Sequence, residues 1–257
     1  LGAITFDGAL TETGRHMAEF PLNPELSKVV LSAGKYGVLE EAIILVAMLS
    51  VPAPFMSTRN NRNAQRAQGE LTHATGDHLS LVGVYRAYEA NLHDKDWAWS
   101  HWVSDRAMAQ AANIVRQIIR LTTRIGLQSE RESKDVSSDL RRAILEGYFM
   151  QVAHINPGGK AYTTVGPNAQ VVTIHPSSFL DSKPEWLIWH ELAVTDQRYV
   201  RTVSSVWPDM LLEVAEDYFH PDKKNIGGLA KEALEKAVEK MNRAQNTKGK
   251  KRKNILA

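Results

Sequence analysis

Residues 185–206 read EWLIWHELAVTDQRYVRTVSSV, and this stretch contains two runs that are typical of β-strands. The runs Glu185–Val194 and Tyr199–Val206 are rich in Val, Ile, Leu, Trp and Tyr, with a short polar connection between them. β-Branched and aromatic residues fit the pleated, half-buried surface of a sheet. The stretch therefore predicts two consecutive strands.

Three further strand-like runs lie upstream, at Tyr148–Ile155, Ala161–Val165 and Gln170–His175. Turn-forming residues separate the runs: Pro157-Gly158-Gly159, Gly166-Pro167-Asn168 and Ser182-Lys183-Pro184. Five short strands in about 60 residues predict a small barrel, and the oligonucleotide-binding (OB) fold has this strand count.

The sequence before Gly147 has helical rather than strand periodicity. Predicted helices run from Thr11 to Glu19, from Asn23-Pro24 to Gly37, and from Glu40 to Ser50, the last apolar over most of its circumference and therefore buried. One stripe joins Leu81, Val84, Tyr85, Tyr88 and Leu92, and a turn or short helix follows with Trp97, Trp99 and Trp102. After the strands come a short helix at Pro208–Ala215 and a charged C-terminal helix at Gly228–Ala244. Helices followed by strands, without βαβ alternation, argue against a Rossmann or P-loop architecture.

The predicted helix from Ser104 to Ile125 has two distinct faces. Its apolar face carries Met108, Ala111, Val115, Ile118, Ile119, Thr122 and Ile125. The opposite face carries Arg106, Asn113, Gln117, Arg120 and Arg124. Such a face is usually a solvated surface, but arginines and amides without acids also suit a nucleic-acid backbone and base edges.

The segment Gly76-Asp77-His78-Leu79 places an acid beside an imidazole at the start of an apolar helix. Asp77 can cap that helix, since its carboxylate can accept from the free N–H groups of the first turn. A metal or acid/base site is the alternative. Capping is the better interpretation, and we expect neither catalytic nor metal-binding residues in this chain.

Two further segments resemble functional motifs only in part, one a phosphate-binding loop and the other a zinc-protease helix. Gly158-Gly159-Lys160-Ala161 resembles the end of a phosphate-binding loop, but it lacks the first Gly and the Ser or Thr, and it lies between strands. His190-Glu191 begins like a zinc-protease helix but has no second His. The chain has no Cys, which excludes disulfides and thiolate chemistry. It also has no apolar run of roughly 18 residues, so no membrane span is expected.

Charge is unevenly distributed along the chain. The net charge is +2, yet residues 231–257 carry nine Lys or Arg against three Glu. The cluster Lys248-Gly249-Lys250-Lys251-Arg252-Lys253 suits phosphate contact or a nuclear address, or it is a solvated, disordered tail. The chain opens mid-pattern without Met, and we expect it to be part of a longer protein.

Taken in order, these motifs resemble the C-terminal half of a DEAH-box RNA helicase. The segment Leu1-Gly2-Ala3 to Phe20-Pro21-Leu22 and the closing Ala47–Pro52 resemble the family's winged-helix domain. Gly76–Leu79 and the helix with Arg106, Asn113, Arg116 and Gln117 resemble its ratchet (HA2) domain. Four further segments resemble the family's OB-fold domain: Gly147–Ala153, His175-Pro176-Ser177-Ser178, Pro184-Glu185-Trp186 and Tyr199-Val200-Arg201.

The resemblance implies a multidomain α-then-β chain with four parts. They are a partial winged helix (1–52), a helical-bundle ratchet domain (53–145), a five-stranded OB-fold barrel (146–215), and a C-terminal helix with a basic tail (216–257). The RecA-like motor domains, which use ATP and Mg²⁺, would lie upstream, so this chain should be inactive by itself. The resemblance is strongest to the branch that disassembles intron-lariat spliceosomes and works in ribosome biogenesis.

The resemblance also implies partners and contact residues. The partners are single-stranded RNA, a glycine-rich (G-patch) activator protein, and spliceosomal or pre-ribosomal proteins in the nucleus or nucleolus, with no membrane. The expected RNA-binding residues are Arg106, Asn113, Arg116, Gln117, Lys160, Tyr162, His175, Ser177 and Ser178. Arg116 lies about 80° from the centre line of the polar face and is the least secure of the helical set.

Two other functions stay open at this point. The chain could be a non-catalytic scaffold that docks an activator or spliceosomal partner and touches RNA little, which its near-neutral charge favours. It could also be an autonomous OB-fold RNA-binding protein without a motor.

Overall fold

The computed structural model describes residues 1–57, 61–92, 94, 96–222 and 226–255, with side chains described as far as residue 243. Helices come first, as predicted: α1 (Glu12–Glu19), α2 (Pro24–Tyr36), α3 (Leu39–Leu49), α4 (Arg62–Gly69), α5 (Asp77–Ala90), α6 (Trp97–Ser100), α7 (Asp105–Arg124) and α8 (Val136–Tyr148). The strands and last helices are β1 (Val152–Ile155), β2 (Tyr162–Thr164), β3 (Val171–Ile174), β4 (Trp186–Val194), β5 (Arg198–Val206), α9 (Pro208–Phe219) and α10 (Gly228–Ile255).

The first three helices begin and end where the local signals predict. The Thr11 side chain accepts from Gly14 N at 3.0 Å and caps α1. Pro24 is the first residue of α2, and Gly37 ends that helix in the left-handed conformation at φ 73°. In α3 the seven residues from Ala42 to Met48 are all buried, which confirms the prediction of an internal helix.

The five strands form a closed barrel in the order β1-β2-β3-β5-β4, which confirms the predicted barrel. Neighbouring strands are antiparallel except β3 and β5, which are parallel. The interior of the barrel is a separate apolar cluster that contains Ala153, Tyr162, Val172, Leu180, Leu187, Trp189, Val200 and Val203.

The strand predicted to begin at Tyr148 is shorter than expected, because Tyr148 is the last residue of α8. This helix was missed. Its buried residues include Leu140, Ile144 and Leu145 together with Tyr148, and these fall at helical spacing. The helix packs against α2, where a Cβ added at Gly147 would lie 2.3 Å from the carbonyl oxygen of Glu25.

Three other elements differ from the predicted extents. The stripe on α5 ends before Leu92, which lies beyond the helix and is exposed, so its assignment to the core was wrong. Helix α9 continues past Ala215 with a kink there (φ −141°, ψ 55°). Helix α10 extends past Ala244 to Ile255, and the side chains of the basic cluster Lys248–Lys253 lie outside the described residues.

One continuous apolar core runs through most of the molecule. It includes Phe20 next to α1, α2 and α3, the buried faces of α5, α7 and α8, and residues of β4, α9 and α10. The four-part division at 52, 145 and 215 stays a prediction, because this core crosses all three positions.

The segment Gly76–His78, here called the interdomain clamp, joins α5 to the barrel. Asp77 accepts from Phe179 N and from Val203 N, both at 2.8 Å. The His78 ring contacts Ser204 Oγ through Nδ1 at 2.9 Å and is buried. The expectation that Asp77 caps its own helix was wrong. The residue before it, Gly76, occupies the N-cap position, and the carboxylate bonds to backbone of the barrel instead.

The clamp depends on close backbone approach and on a buried charge. Gly76 has φ 127° and pairs with Ser204, and a Cβ there would lie 2.3 Å from the carbonyl oxygen of Val203. Burial raises the pKa of Asp77, while the bonds from Val203, Phe179 and Ser178 act against that rise. The N–H donors therefore compensate a carboxylate that burial alone would disfavour.

A second buried contact lies beside the clamp. Arg141 of α8 is almost fully buried and donates through Nη1 to the Ser205 carbonyl oxygen at 2.9 Å. Its guanidinium also covers the ring of Trp207 at 4.1 Å from the centroid. Burial lowers the pKa of Arg141 to about 10. The helical region and the barrel are thus joined by polar contacts as well as by the shared core.

Candidate nucleic-acid interface

The polar face of α7 is exposed along its length, as predicted. Ser104 caps the helix by accepting from Ala107 N at 3.3 Å, and buried Met108, Ala111, Val115 and Ile118 fix which side faces the core. Arg106, Asn113, Arg116 and Gln117 are all exposed on the other side. The core packing of α7 therefore leaves these four side chains available to a ligand.

The polar face differs in two details from its sequence description. Arg116 donates to the Asn113 side-chain oxygen, which draws this arginine towards the centre of the face. Arg124 forms an ion pair with Glu19 of α1, so an acidic side chain lies at the C-terminal end of the polar face. Ile119, predicted to be buried, is 46% exposed at the rim of a groove between α3, α5 and α7.

In the barrel, the two predicted RNA contacts between β1 and β3, Lys160 and Tyr162, lie in different environments. Lys160 is exposed beside β2. Tyr162 is 3% exposed, lies in the barrel interior, and donates its hydroxyl to the Pro184 carbonyl oxygen at 3.0 Å. Burial raises its pKa to about 12. The prediction that Tyr162 stacks on a base was wrong, because strand alternation points this ring inwards.

The turn after β3 holds His175, Ser177 and Ser178 in different roles. Arg201 Nη2, which can only donate, lies 3.3 Å from His175 Nε2. Nδ1 lies 2.7 Å from Ser177 Oγ and 3.1 Å from Ser177 N, so donors lie beside both ring nitrogens. Ser178 accepts from Leu180 N at 3.1 Å, which gives it a part in the turn itself. Burial and the nearby charge of Arg201 lower the pKa of His175.

A cleft of about 430 Å³ lies where the helical region meets the barrel. Its apolar wall comes from Met48, Leu49, Val51, Ala53, Pro54, Phe55, Leu81 and Phe179. Its polar wall is His175, Ser177, His190, Glu191, Arg201 and Thr202, together with Asp77 of the clamp. We call it the ratchet–OB cleft.

Two polar atoms of the ratchet–OB cleft are left over. Arg201 Nε and His190 Nδ1 are buried and have no hydrogen-bond partner in the part of the chain that the structure describes. Buried polar groups are almost always satisfied, so unmade bonds in a cleft indicate a place for a polar ligand or ordered water. Thr202 beside them has φ 52°, a left-handed conformation that is costly for a β-branched residue.

The cleft residues Arg201, His190 and Thr202 were not among the predicted contacts. Arg201 belongs to a family-like motif, but nothing in its local sequence separates it from other strand arginines. Its position became informative only through the pairing of β5 with β3, which brings Arg201 near His175. Among the described residues, no hydrogen bond joins this cleft to the polar face of α7.

No group of three or more His, Asp or Glu side chains that could hold a metal ion is found among the described residues. Within the same residues no helix is both long and apolar enough to cross a bilayer.

Comparison with known families defines the class of protein. Three family models match consecutive parts of the chain: the helicase-associated domain (HA2) winged helix over residues 1–22, the ratchet-like HA2 domain over 23–81, and the OB fold over 140–218. The chain belongs to the helicase-associated HA2 and OB-fold region of DEAH-box helicases, which confirms the family resemblance.

A particular relative fits this class. The chain is 36% identical over 226 residues to the pre-mRNA-splicing factor ATP-dependent RNA helicase prp22 of Schizosaccharomyces pombe. The alignment covers 85% of this chain and 19% of the relative, so the chain spans about one fifth of that protein's length.

Proposed function

We propose that this chain is the RNA-channel and regulatory region of an ATP-dependent DEAH-box RNA helicase. The observation that carries this proposal is the ratchet–OB cleft, in which Arg201 and His190 present unmade hydrogen bonds beside predicted RNA contacts. The similarity to a splicing RNA helicase supports it.

The proposed ligand is single-stranded RNA held at two surfaces. On α7, Arg106 and Arg116 would contact phosphates, while Asn113 and Gln117 would bind base edges or sugar. At the barrel, Lys160 would contact a phosphate. In the cleft, Arg201, His175 and Ser177 would contact phosphate or sugar oxygens. A strand held at both surfaces would be guided as an attached motor steps.

The activity of the whole protein is part of the same proposal. Motor domains elsewhere in the protein would bind ATP and Mg²⁺ and drive 3′-to-5′ unwinding or remodelling. The setting would be nuclear pre-mRNA splicing, including spliceosome disassembly, with a further role in ribosome biogenesis. A G-patch activator and spliceosomal or pre-ribosomal proteins would be its protein partners.

Charge reversal on α7 tests the RNA contact. We expect Arg106→Glu combined with Arg116→Glu to weaken binding of the purified chain to a fluorescein-labelled single-stranded RNA by about 10-fold or more, and to flatten the salt dependence. Lys134→Glu is the matched control, since Lys134 is an exposed cation on the loop between α7 and α8. Equal binding by the reversed variant and the control would remove α7 from the interface.

The cleft has its own test. Arg201→Gln keeps a polar side chain but removes the charge, so we expect weaker RNA binding and a smaller salt slope with little change in thermal stability. In the full-length enzyme the same variants should reduce RNA-stimulated ATP turnover and leave basal turnover nearly intact. Loss of basal turnover would instead point to a structural defect.

A scaffold function is the second candidate, favoured by the net charge of only +2. It predicts strong binding to a G-patch peptide and weak, salt-insensitive binding to RNA. Titrating both ligands against the chain at several salt concentrations separates the two functions, because phosphate contacts give a steep salt dependence.

A further inference from the structure

The segment from Trp97 to Trp102 carries two pairs of stacked rings. Trp97 and His101 stack at 4.4 Å between centroids and 22° between planes, and Trp97 is buried in the main core. Trp99 and Trp102 stack at 6.1 Å and 19° on the outer side. Trp99 is 72% exposed, so one face of a large aromatic ring is open to solvent.

The backbone beneath the outer pair is held in an unfavourable conformation. Trp102 has φ 55°, a left-handed value that is rare and costly for a bulky residue. Its carbonyl oxygen accepts from Met56 N and from Gln68 Nε2, both at 2.9 Å. Gln68 is almost fully buried and also donates to the Met56 carbonyl oxygen. The backbone at Trp102, on which Trp99 stacks, is therefore held in place by these bonds.

Charged residues of both signs flank the outer pair, with Asp94 and Asp96 before it and Asp105 and Arg106 after it. Helix α7 begins at Asp105, three residues after Trp102, and presents exposed Arg106 at its first turn. Helix α4, whose Gln68 holds Trp102, also exposes Arg62 and Arg66. Arg66 pairs with Glu70 at 3.7 Å, and Asp105 accepts from the Tyr88 hydroxyl. The segment with Trp99 precedes α7 by a few residues, so it lies towards the N-terminal end of the helix that carries the polar face.

We propose that Trp99, supported from behind by Trp102, is a stacking platform for an unpaired nucleobase of single-stranded RNA. This inference rests on the proposed function. An exposed indole, followed along the chain by exposed Arg106 in the first turn of α7, matches the two parts of such a ligand, a π-face and a phosphate backbone. Trp207 offers a contrast, because the guanidinium of Arg141 already covers its ring.

The test separates base stacking from phosphate contact. The purified chain is titrated with fluorescein-labelled oligouridine and with an abasic oligomer of equal length that keeps every phosphate. Trp99→Ala should weaken binding of oligouridine by about 5- to 150-fold and change binding of the abasic oligomer by less than about twofold. Trp99→Phe, which keeps an aromatic face, should restore most of the affinity. Arg106→Glu should weaken the binding of both oligomers.

Each other outcome has a definite meaning. If Trp99→Ala leaves oligouridine binding unchanged, or weakens both oligomers equally, the platform does not exist while the proposed RNA contact stands. If the wild-type chain binds neither oligomer, the proposed function fails and this inference fails with it. If Trp99→Ala abolishes binding of a G-patch peptide but not of RNA, the surface belongs to a protein partner and the inference is refuted. Unchanged thermal unfolding of each variant confirms that folding is intact.

Discussion

Replacement of Asp77 tests whether the interdomain clamp stabilises the junction between the helical region and the barrel. The two carboxylate oxygens each accept a separate backbone bond, Oδ1 from Phe179 N and Oδ2 from Val203 N. Asn at this position has a single acceptor oxygen, and its NH₂ group would face the other N–H. Asp77→Asn therefore breaks one bond and brings two donors together, with almost no change in volume.

The expected cost follows from the burial of these groups. A buried donor left without an acceptor costs about 1–3 kcal/mol, and loss of the charge weakens the remaining bond by roughly 1 kcal/mol. Asp77→Asn should then lower the free energy of unfolding by about 2–4 kcal/mol. Asp77→Ala leaves both donors unpaired and should cost about 2–6 kcal/mol. We expect the order of stability to be wild type, then Asn, then Ala.

Two measurements check this order. Urea unfolding followed by tryptophan fluorescence gives the free energy of unfolding for each variant. Amide hydrogen exchange gives the local effect, and we expect faster exchange at Val203 and Phe179 than in α7. Asp196→Asn is the control, because Asp196 is an exposed carboxylate in the β4–β5 connection. Surface substitutions usually change the free energy of unfolding by no more than about 0.5 kcal/mol. If both Asp77 variants stay within that range of wild type, the clamp does not stabilise the junction.

Three further predictions concern neighbouring residues. Burial lowers the pKa of His78 from 6.5 to about 3, so between these pH values the unfolded chain binds a proton that the folded chain does not. The free energy of unfolding should therefore fall as the pH is lowered from 6.5 to 3, by up to about 1.4 kcal/mol per pH unit. His78→Gln should make that fall shallower in acid titrations. Gly76→Ala should cost at least about 1–3 kcal/mol in urea unfolding from its backbone conformation, whereas Gly69→Ala, with open space around it, should not destabilise. Tyr162→Phe should lower stability by about 1 kcal/mol and leave RNA affinity unchanged, and a large loss of affinity would return this ring to the interface.

Local pattern was sufficient for most of the secondary structure. Strands β2 to β5 lie within a residue or two of their predicted runs, since β-branched and aromatic clusters between turn residues require only local information. Helix α7 was predicted almost to the residue because Ser104 caps it and its apolar face repeats at helical spacing. The missed helix α8 also has this spacing, but its last residue, Tyr148, lies in an aromatic and apolar run that is equally typical of the first strand.

The candidate contacts were less accessible to such reasoning. The exposed face of α7 follows from periodicity, because burial of one side determines the other. Whether Tyr162 points into the barrel depends on strand register, and a shift of one residue reverses every side chain. Arg201 lines the cleft only because β5 pairs in parallel with β3. This pairing brings Arg201 next to His175, which is 26 residues earlier in the sequence.

The sequence by itself determined the order of helices and strands, the barrel, the family, and the absence of any thiol chemistry. The tertiary structure alone decided what Asp77 binds, where Arg201 and His190 keep unmade bonds, and how Trp99 rests on Trp102. The physical reason is that hydrophobic periodicity is a property of neighbouring residues, whereas a hydrogen-bond partner is chosen by whichever backbone or side chain the folded chain brings within about 3 Å.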